Sequence, residues 1–101
     1  MRIMVFFDLP TLTAEDRKVY RHFRKTLIKN GFIMLQESVY CKMITSPSVE
    51  NSVNLLLQKN KPPQGLVQSI MVTEKQFVKM NYITGSYSGD VIDTEDRVVV
   101  L

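Results

Sequence analysis

An α+β fold with one antiparallel sheet, and both helices on one face of it, is predicted by three features of this chain. Hydrophobic patterns follow one another in the order strand, helix, strand, strand, helix, strand. Each helical pattern carries a single apolar stripe, so each helix has one face to bury. No internal repeat and no linker interrupts the 101 residues, so a single domain is expected.

The first strand is Arg2-Ile3-Met4-Val5-Phe6-Phe7, ending in Asp8. Pro10 has no backbone donor and drives Leu9 out of the helical region, which stops the strand. Thr13 then caps a helix running to Asn30, with Glu15 and Asp16 at the positive end of its dipole. Its stripe is Val19, Tyr20, Phe23 and Leu27, and Gly31 suits a left-handed position after its end. Phe32–Leu35 and Val39–Ile44 read as strands. The residues leave open whether Gln36-Glu37-Ser38 is a tight turn or a bend in one long strand. Ser46 is expected to cap the second helix, with Pro47 at its first position and a stripe of Val49, Val53, Leu56 and Leu57. Pro62-Pro63 ends it, and Leu66–Val72 is the fourth strand.

This order is the split βαβ, ferredoxin-like plan. The core is expected over about 1–72, with an extension over about 73–101. Thr73-Glu74-Lys75-Gln76 has capping-box spacing and predicts a helical turn through Phe77 and Met80. Tyr82-Ile83-Thr84 reads as a short strand, Gly85–Asp96 as a polar loop, and Arg97–Leu101 as a terminal strand.

Strand faces alternate with period two. Ile3, Val5 and Phe7 share one face of the first strand, and Met4, Phe6 and Asp8 the other. The fourth strand sets Leu66, Ile70 and Val72 against Val67 and Met71. Helices cover one face only, and an exposed second face should carry polar residues. Here it is apolar apart from Asp8, which predicts a second copy of the sheet as its cover. A two-fold homodimer then brings two Asp8 carboxylates toward one groove. A hard divalent cation such as Mg²⁺ would relieve their repulsion and act on a phosphodiester. The alternative is that the two are too far apart and each Asp8 is solvated, or simply caps the turn before the helix.

The chain carries 13 Lys and Arg against 10 Asp and Glu, a net charge of +3, and 45% hydrophobic residues. The positive charge is concentrated before residue 46. Arg17, Lys18, Arg21, Lys25 and Lys29 form an arc on the first helix away from its apolar stripe at roughly 100° per residue, with Arg24 nearer the boundary. Such an arc suits sequence-independent phosphate contact, or is a solvated face. Tyr20 is expected in the core, while Tyr40 suits either dimer packing or a site. The Ser38 hydroxyl is assigned to the turn rather than to a substrate phosphate. The single cysteine, Cys41, leaves no internal disulfide and no cysteine-based zinc site, and the single histidine, His22, supplies a His-cluster metal site or a serine-histidine triad poorly. No apolar run approaches the ~20 residues of a membrane span. With no cleavable signal ahead of the first strand, a cytoplasmic protein is expected.

Met4-Val5-Phe6-Phe7-Asp8-Leu9-Pro10, Gly31-Phe32 and Ser38-Val39-Tyr40 resemble the small ferredoxin-like subunit of CRISPR spacer acquisition, the second CRISPR-associated protein. Val72-Thr73-Glu74-Lys75-Gln76-Phe77, Met80, Tyr82, Gly85 and Glu95-Asp96-Arg97 through Leu101 resemble its type II-A branch. The resemblance covers essentially the whole chain. It implies a prokaryotic homodimer bridging two dimers of a larger integrase subunit, holding duplex protospacer DNA and inserting it into the CRISPR repeat array. It also implies a metal-dependent endonuclease acting on RNA, in some members on DNA, with Asp8 as catalytic metal ligand. A free-standing Mg²⁺-dependent ribonuclease of toxin type on the same fold is the alternative. The terminal strand Arg97, Val98, Val99, Val100, Leu101 is expected to add to the partner subunit's sheet and help form the surface that the integrase grips, or else to fold back on its own sheet.

Overall fold

The computed structural model describes residues 1–86. The expected terminal strand Arg97–Leu101, Tyr87 and most of the Gly85–Asp96 loop lie outside the described residues. Four strands and three helices are present among them: β1 (Arg2–Asp8), α1 (Ala14–Lys29), β2 (Ile33–Gln36), β3 (Val39–Met43), α2 (Ser48–Lys59), β4 (Leu66–Val72) and α3 (Glu74–Val78). The strands form one sheet in the order β2-β3-β1-β4, and all three pairings are antiparallel. This is the ferredoxin-like arrangement read from the sequence.

Alternation along β1 decides which side is core. Ile3, Val5 and Phe7 are buried together with Phe23 and Leu27 of α1 and Val53 and Leu57 of α2. Phe7 is the hub: its ring meets Phe23 edge-on at 5.1 Å, Tyr20 at 5.8 Å, and stacks on Tyr40 at 5.6 Å. Such pairs favour edge-on or offset contact. They hold the β1 end that carries Asp8. Truncating Phe23 to Ala should therefore lower unfolding free energy by about 3–5 kcal/mol, measured by urea denaturation. A loss below about 1 kcal/mol would mean that α1 is not packed on the sheet as described.

Both ends of α1 are closed. Thr13 and Asp16 form a reciprocal capping box, with Thr13 Oγ1 accepting from Asp16 N at 3.0 Å and Asp16 Oδ2 from Thr13 N at 3.1 Å. Gly31 takes φ +92° just past the helix, the left-handed region that a side chain disfavours. Lys42 Nζ donates to Asn30 O at 2.7 Å, placing a cation at the negative end of the helix dipole.

Four expectations need correction. Ser46 does not cap α2: Pro47, itself helical, takes the N-cap position. The helix therefore starts one residue later than expected, and the Ser46 hydroxyl pairs with Ser48 Oγ at 2.8 Å instead. Tyr40 does not face a dimer partner; it is fully buried against Phe7 on the helix side, because alternation sends Val39 and Cys41 to the other face. Tyr82-Ile83-Thr84 forms no strand; Ile83 is 85% exposed, and no strand among the described residues pairs with it. The Ser38 hydroxyl makes no hydrogen bond among the described residues; its backbone carbonyl does the holding, accepting from Phe7 N at 3.1 Å. The question left open at Gln36-Glu37-Ser38 resolves into both features. Glu37 and Ser38 are the turn, and the β2–β3 register shifts between Met34 and Gln36, a bulge that bends the strand.

Opposite residues in the ladder share a face, so Arg2, Met4, Phe6 and Asp8 line up with Cys41, Met43, Leu66 and Ile70 away from α1 and α2. Phe6, Ile33, Met43, Leu66 and Ile70 are all exposed there. At the far end from Asp8, α3 is tied onto this face. Arg2 Nε donates to Glu74 Oε2 at 2.7 Å, and its guanidinium lies 3.9 Å over the Phe77 ring. The bond from Arg2 holds the Glu74 carboxyl below its ordinary range, while burial pushes the Cys41 thiol up. Thr73 and Gln76 close the α3 end with the expected capping box.

Candidate active site and nucleic-acid interface

Asp8 is exposed at the carboxyl end of β1. It stands where the open sheet face meets a cavity of about 430 Å³ between β1, α1 and the β2–β3 turn. Asp8, Arg17, Tyr20, Arg21, Glu37 and Ser38 line that cavity. Hydrogen bonds fix the turn and Arg17. The Tyr20 hydroxyl donates to Glu37 O at 3.1 Å, tying the turn to α1. Phe7 N donates to Ser38 O, tying the same turn to β1. Arg17 reaches back along its helix, its Nη1 donating to Leu12 O at 3.1 Å and Thr11 O at 3.2 Å.

Gly65 guards the other side of the strand end. It has φ +96°, and a Cβ there would lie 2.6 Å from Asp8 O and 2.8 Å from Leu9 Cδ2. Backbone strain of this kind costs about 1–3 kcal/mol, and the contact adds to it. Gly65→Ala should therefore lower the melting temperature and displace the Asp8 backbone. An unaltered melting temperature, with the Asp8 amide resonance unmoved, would contradict this tight fit.

The basic residues of α1 divide into two groups. Arg17 is engaged with the loop carbonyls. Arg24 Nε donates to the Tyr40 hydroxyl at 2.7 Å, satisfying the one polar atom of a buried ring. Lys18, Arg21 and Lys25 are exposed and make no side-chain hydrogen bond or ion pair among the described residues. Helix periodicity sets Arg24 nearer the apolar boundary but does not separate Arg17 from the outer arc, because its partners come from the loop conformation.

Among the described residues no three His, Cys, Asp or Glu side chains converge as a metal site. The donors at the strand end are nonetheless of the right kind for Mg²⁺. That ion keeps several waters and takes one or two carboxylates together with substrate phosphate oxygens. Asp8 supplies one carboxylate per chain, and Glu37 lies in the same cavity. The sequence does not reveal that Glu37 lines this cavity: it sits in a turn, and nothing in its spacing relates it to Asp8. No described helix is long and apolar enough to cross a membrane.

Residues 1–80 match the family model described as CRISPR associated protein Cas2. A Treponema denticola protein named CRISPR-associated endoribonuclease Cas2 is 50% identical over 101 residues, covering all of both chains. One of the same name from Streptococcus mutans is 43% identical, covering all of this chain and 93% of that protein. The crystal structure of Streptococcus pyogenes Cas2 at pH 6.5 superposes with a TM-score of 0.61 at 20% identity, over 83% of this chain and all of the other. At that identity the likeness speaks to the fold alone.

Proposed function

Because this chain belongs to the Cas2 family of CRISPR-associated proteins, we propose that it is a homodimeric nucleic-acid subunit of CRISPR adaptation. In this reading it binds duplex DNA through α1 and cleaves RNA at a divalent-cation centre on Asp8. The observation that carries the proposal is the asymmetry of the sheet. One face is covered by helices; the other is open, apolar apart from Arg2 and Gln68, and ends in an exposed carboxylate. A second copy laid on that face would cover Phe6, Leu66 and Ile70 and bring the two Asp8 residues into one groove. The shared name of the relatives, endoribonuclease, supports phosphodiester hydrolysis as the chemistry.

Asp8 would hold Mg²⁺, which when bound supplies Lewis-acid polarisation of a phosphodiester. The chain's own residues orient the substrate. Arg21 presents a free cation for phosphate, and the Phe7 aromatic cluster keeps the strand end rigid. Duplex DNA would lie along Lys18, Arg21 and Lys25, where these cations neutralise phosphates without reading bases. The C-terminal strand Arg97–Leu101 would pair with the partner's sheet and offer the larger integrase subunit its grip.

Reversing charge at Lys18, Arg21 and Lys25 together is expected to weaken duplex binding by at least about tenfold at low salt. The slope of log affinity against log salt should also flatten, by about 0.9 for each phosphate that is no longer neutralised. Fluorescence anisotropy with a short duplex, alone and with the integrase subunit present, measures both. Affinity and slope that match the unaltered protein would remove α1 from the DNA interface.

A further inference from the structure

The geometry points to a one-nucleotide subsite beside Asp8 in which Arg21 holds a phosphate and the Glu37 carboxylate accepts a hydrogen bond from a ribose 2′-hydroxyl, making Glu37 a determinant of RNA over DNA. This inference rests on the nuclease function proposed above and names the substrate class of that site.

Three observations carry it. The first is an open groove of about 430 Å³. Its walls mix two arginines with two carboxylates and the hydroxyl-bearing Thr11, Tyr20 and Ser38, the donor and acceptor set a sugar-phosphate unit needs. The second is the division of labour between the arginines. Arg17 is occupied by the Thr11 and Leu12 carbonyls, which leaves Arg21 as the cavity's guanidinium with no partner among the described residues. A guanidinium fork matches phosphate oxygens in pairs. The third is the turn. Glu37 and Ser38 are pinned through their backbone carbonyls, one to the Tyr20 hydroxyl and one to Phe7 N. Their side chains take no part in holding the turn. The Glu37 carboxylate is exposed and the Ser38 hydroxyl is unpaired among the described residues, so both stay available in the cavity that Asp8 also lines.

A carboxylate is an acceptor only. Beside a sugar it can be satisfied by a hydroxyl, and the 2′-hydroxyl is what separates RNA from DNA at one position. A deoxyribose leaves the Glu37 carboxylate facing a C–H, next to a phosphate that repels it. The same residue thus favours RNA and disfavours DNA.

The test uses three single-stranded oligonucleotides of one sequence: RNA, DNA, and RNA methylated at every 2′-oxygen. Binding is measured by anisotropy with divalent cations chelated, so that no strand is cut. The unaltered protein should bind RNA about tenfold more tightly than either of the others, the size of one hydrogen bond to a charged acceptor. Glu37→Ala should bring the three affinities together by weakening RNA relative to the others, while Arg21→Ala should weaken all three alike. If unaltered protein binds RNA and DNA equally, or if Glu37→Ala keeps the RNA preference, Glu37 does not read the sugar. If Arg21→Ala changes nothing, the phosphate seat is elsewhere and the subsite is wrong. If the unaltered protein binds none of the three and cleaves none of them when Mg²⁺ is restored, the nuclease function itself fails; if it binds none yet cleaves RNA with Mg²⁺ restored, the subsite alone is wrong. Thermal melts of both variants, expected unchanged because neither side chain bonds within the fold, keep a folding defect apart from these outcomes.

Discussion

Replacing Asp8 by Asn is expected to reduce Mg²⁺-dependent RNA cleavage by on the order of a hundredfold or more, while leaving the fold intact. The size follows from what a metal-ligating carboxylate contributes. Stabilising developing charge on a phosphodiester is worth several kcal/mol, and each ~1.4 kcal/mol is a factor of ten in rate. Fold is spared because Asp8 is exposed and its side chain makes no hydrogen bond among the described residues. The measurement is single-turnover cleavage of a labelled RNA by purified protein over a Mg²⁺ titration, with the melting temperature as control. Asn keeps the shape and one oxygen but removes the charge, so the Mg²⁺ dependence should move with the rate. Cleavage that persists at the original rate would release Asp8 from any catalytic role and point to a contaminating nuclease. A rate that falls together with the melting temperature would instead assign Asp8 to structure.

What the sequence made legible was whatever depends on period and punctuation. The alternation in Met4, Phe6 and Asp8 against Ile3, Val5 and Phe7 placed the carboxylate on the open face, because a strand has only two faces to choose from. The α1 stripe and its Thr13 cap were equally local, as was the Thr73–Gln76 box of α3. What stayed hidden depends on residues far apart in the chain meeting in space. Nothing in the spacing of Arg24 and Lys42 names their partners, yet one satisfies the buried Tyr40 hydroxyl and the other caps the carboxyl end of α1. Arg2 read as one more basic residue, and it anchors α3 through Glu74 and Phe77, 72 residues away for the Glu74 bond. Glu37 was invisible as a site residue for the same reason: only the closure of the β2–β3 turn against β1 and α1 brings it beside Asp8. Tyr40 shows the limit from the other side. Its place opposite Val39 and Cys41 is fixed by alternation, but which face the helices cover is settled by the packing of both helices, not by β3 alone.

Introducing Lys at Ile70 is expected to convert the proposed dimer into a folded monomer at micromolar concentration. Ile70 stands opposite Met4 at the middle of the open face and is 54% exposed in the single chain. The substitution therefore removes little from the monomer's own core, which lies on the other side of the sheet. In the dimer the same position would be covered, and two-fold symmetry would bury the new charge twice. Each buried, unpaired ammonium costs several kcal/mol, so the dissociation constant should rise by at least about a thousandfold. Size-exclusion chromatography with light scattering reads the mass, and circular dichroism checks that the monomer is folded. RNA cleavage gives a second readout: if the two Asp8 residues share one groove, activity should fall with the dimer and return at high protein concentration. A variant that stays dimeric would place the interface away from this face. A monomer that cleaves as fast as the unaltered protein would show that one Asp8, with its own cavity, is enough.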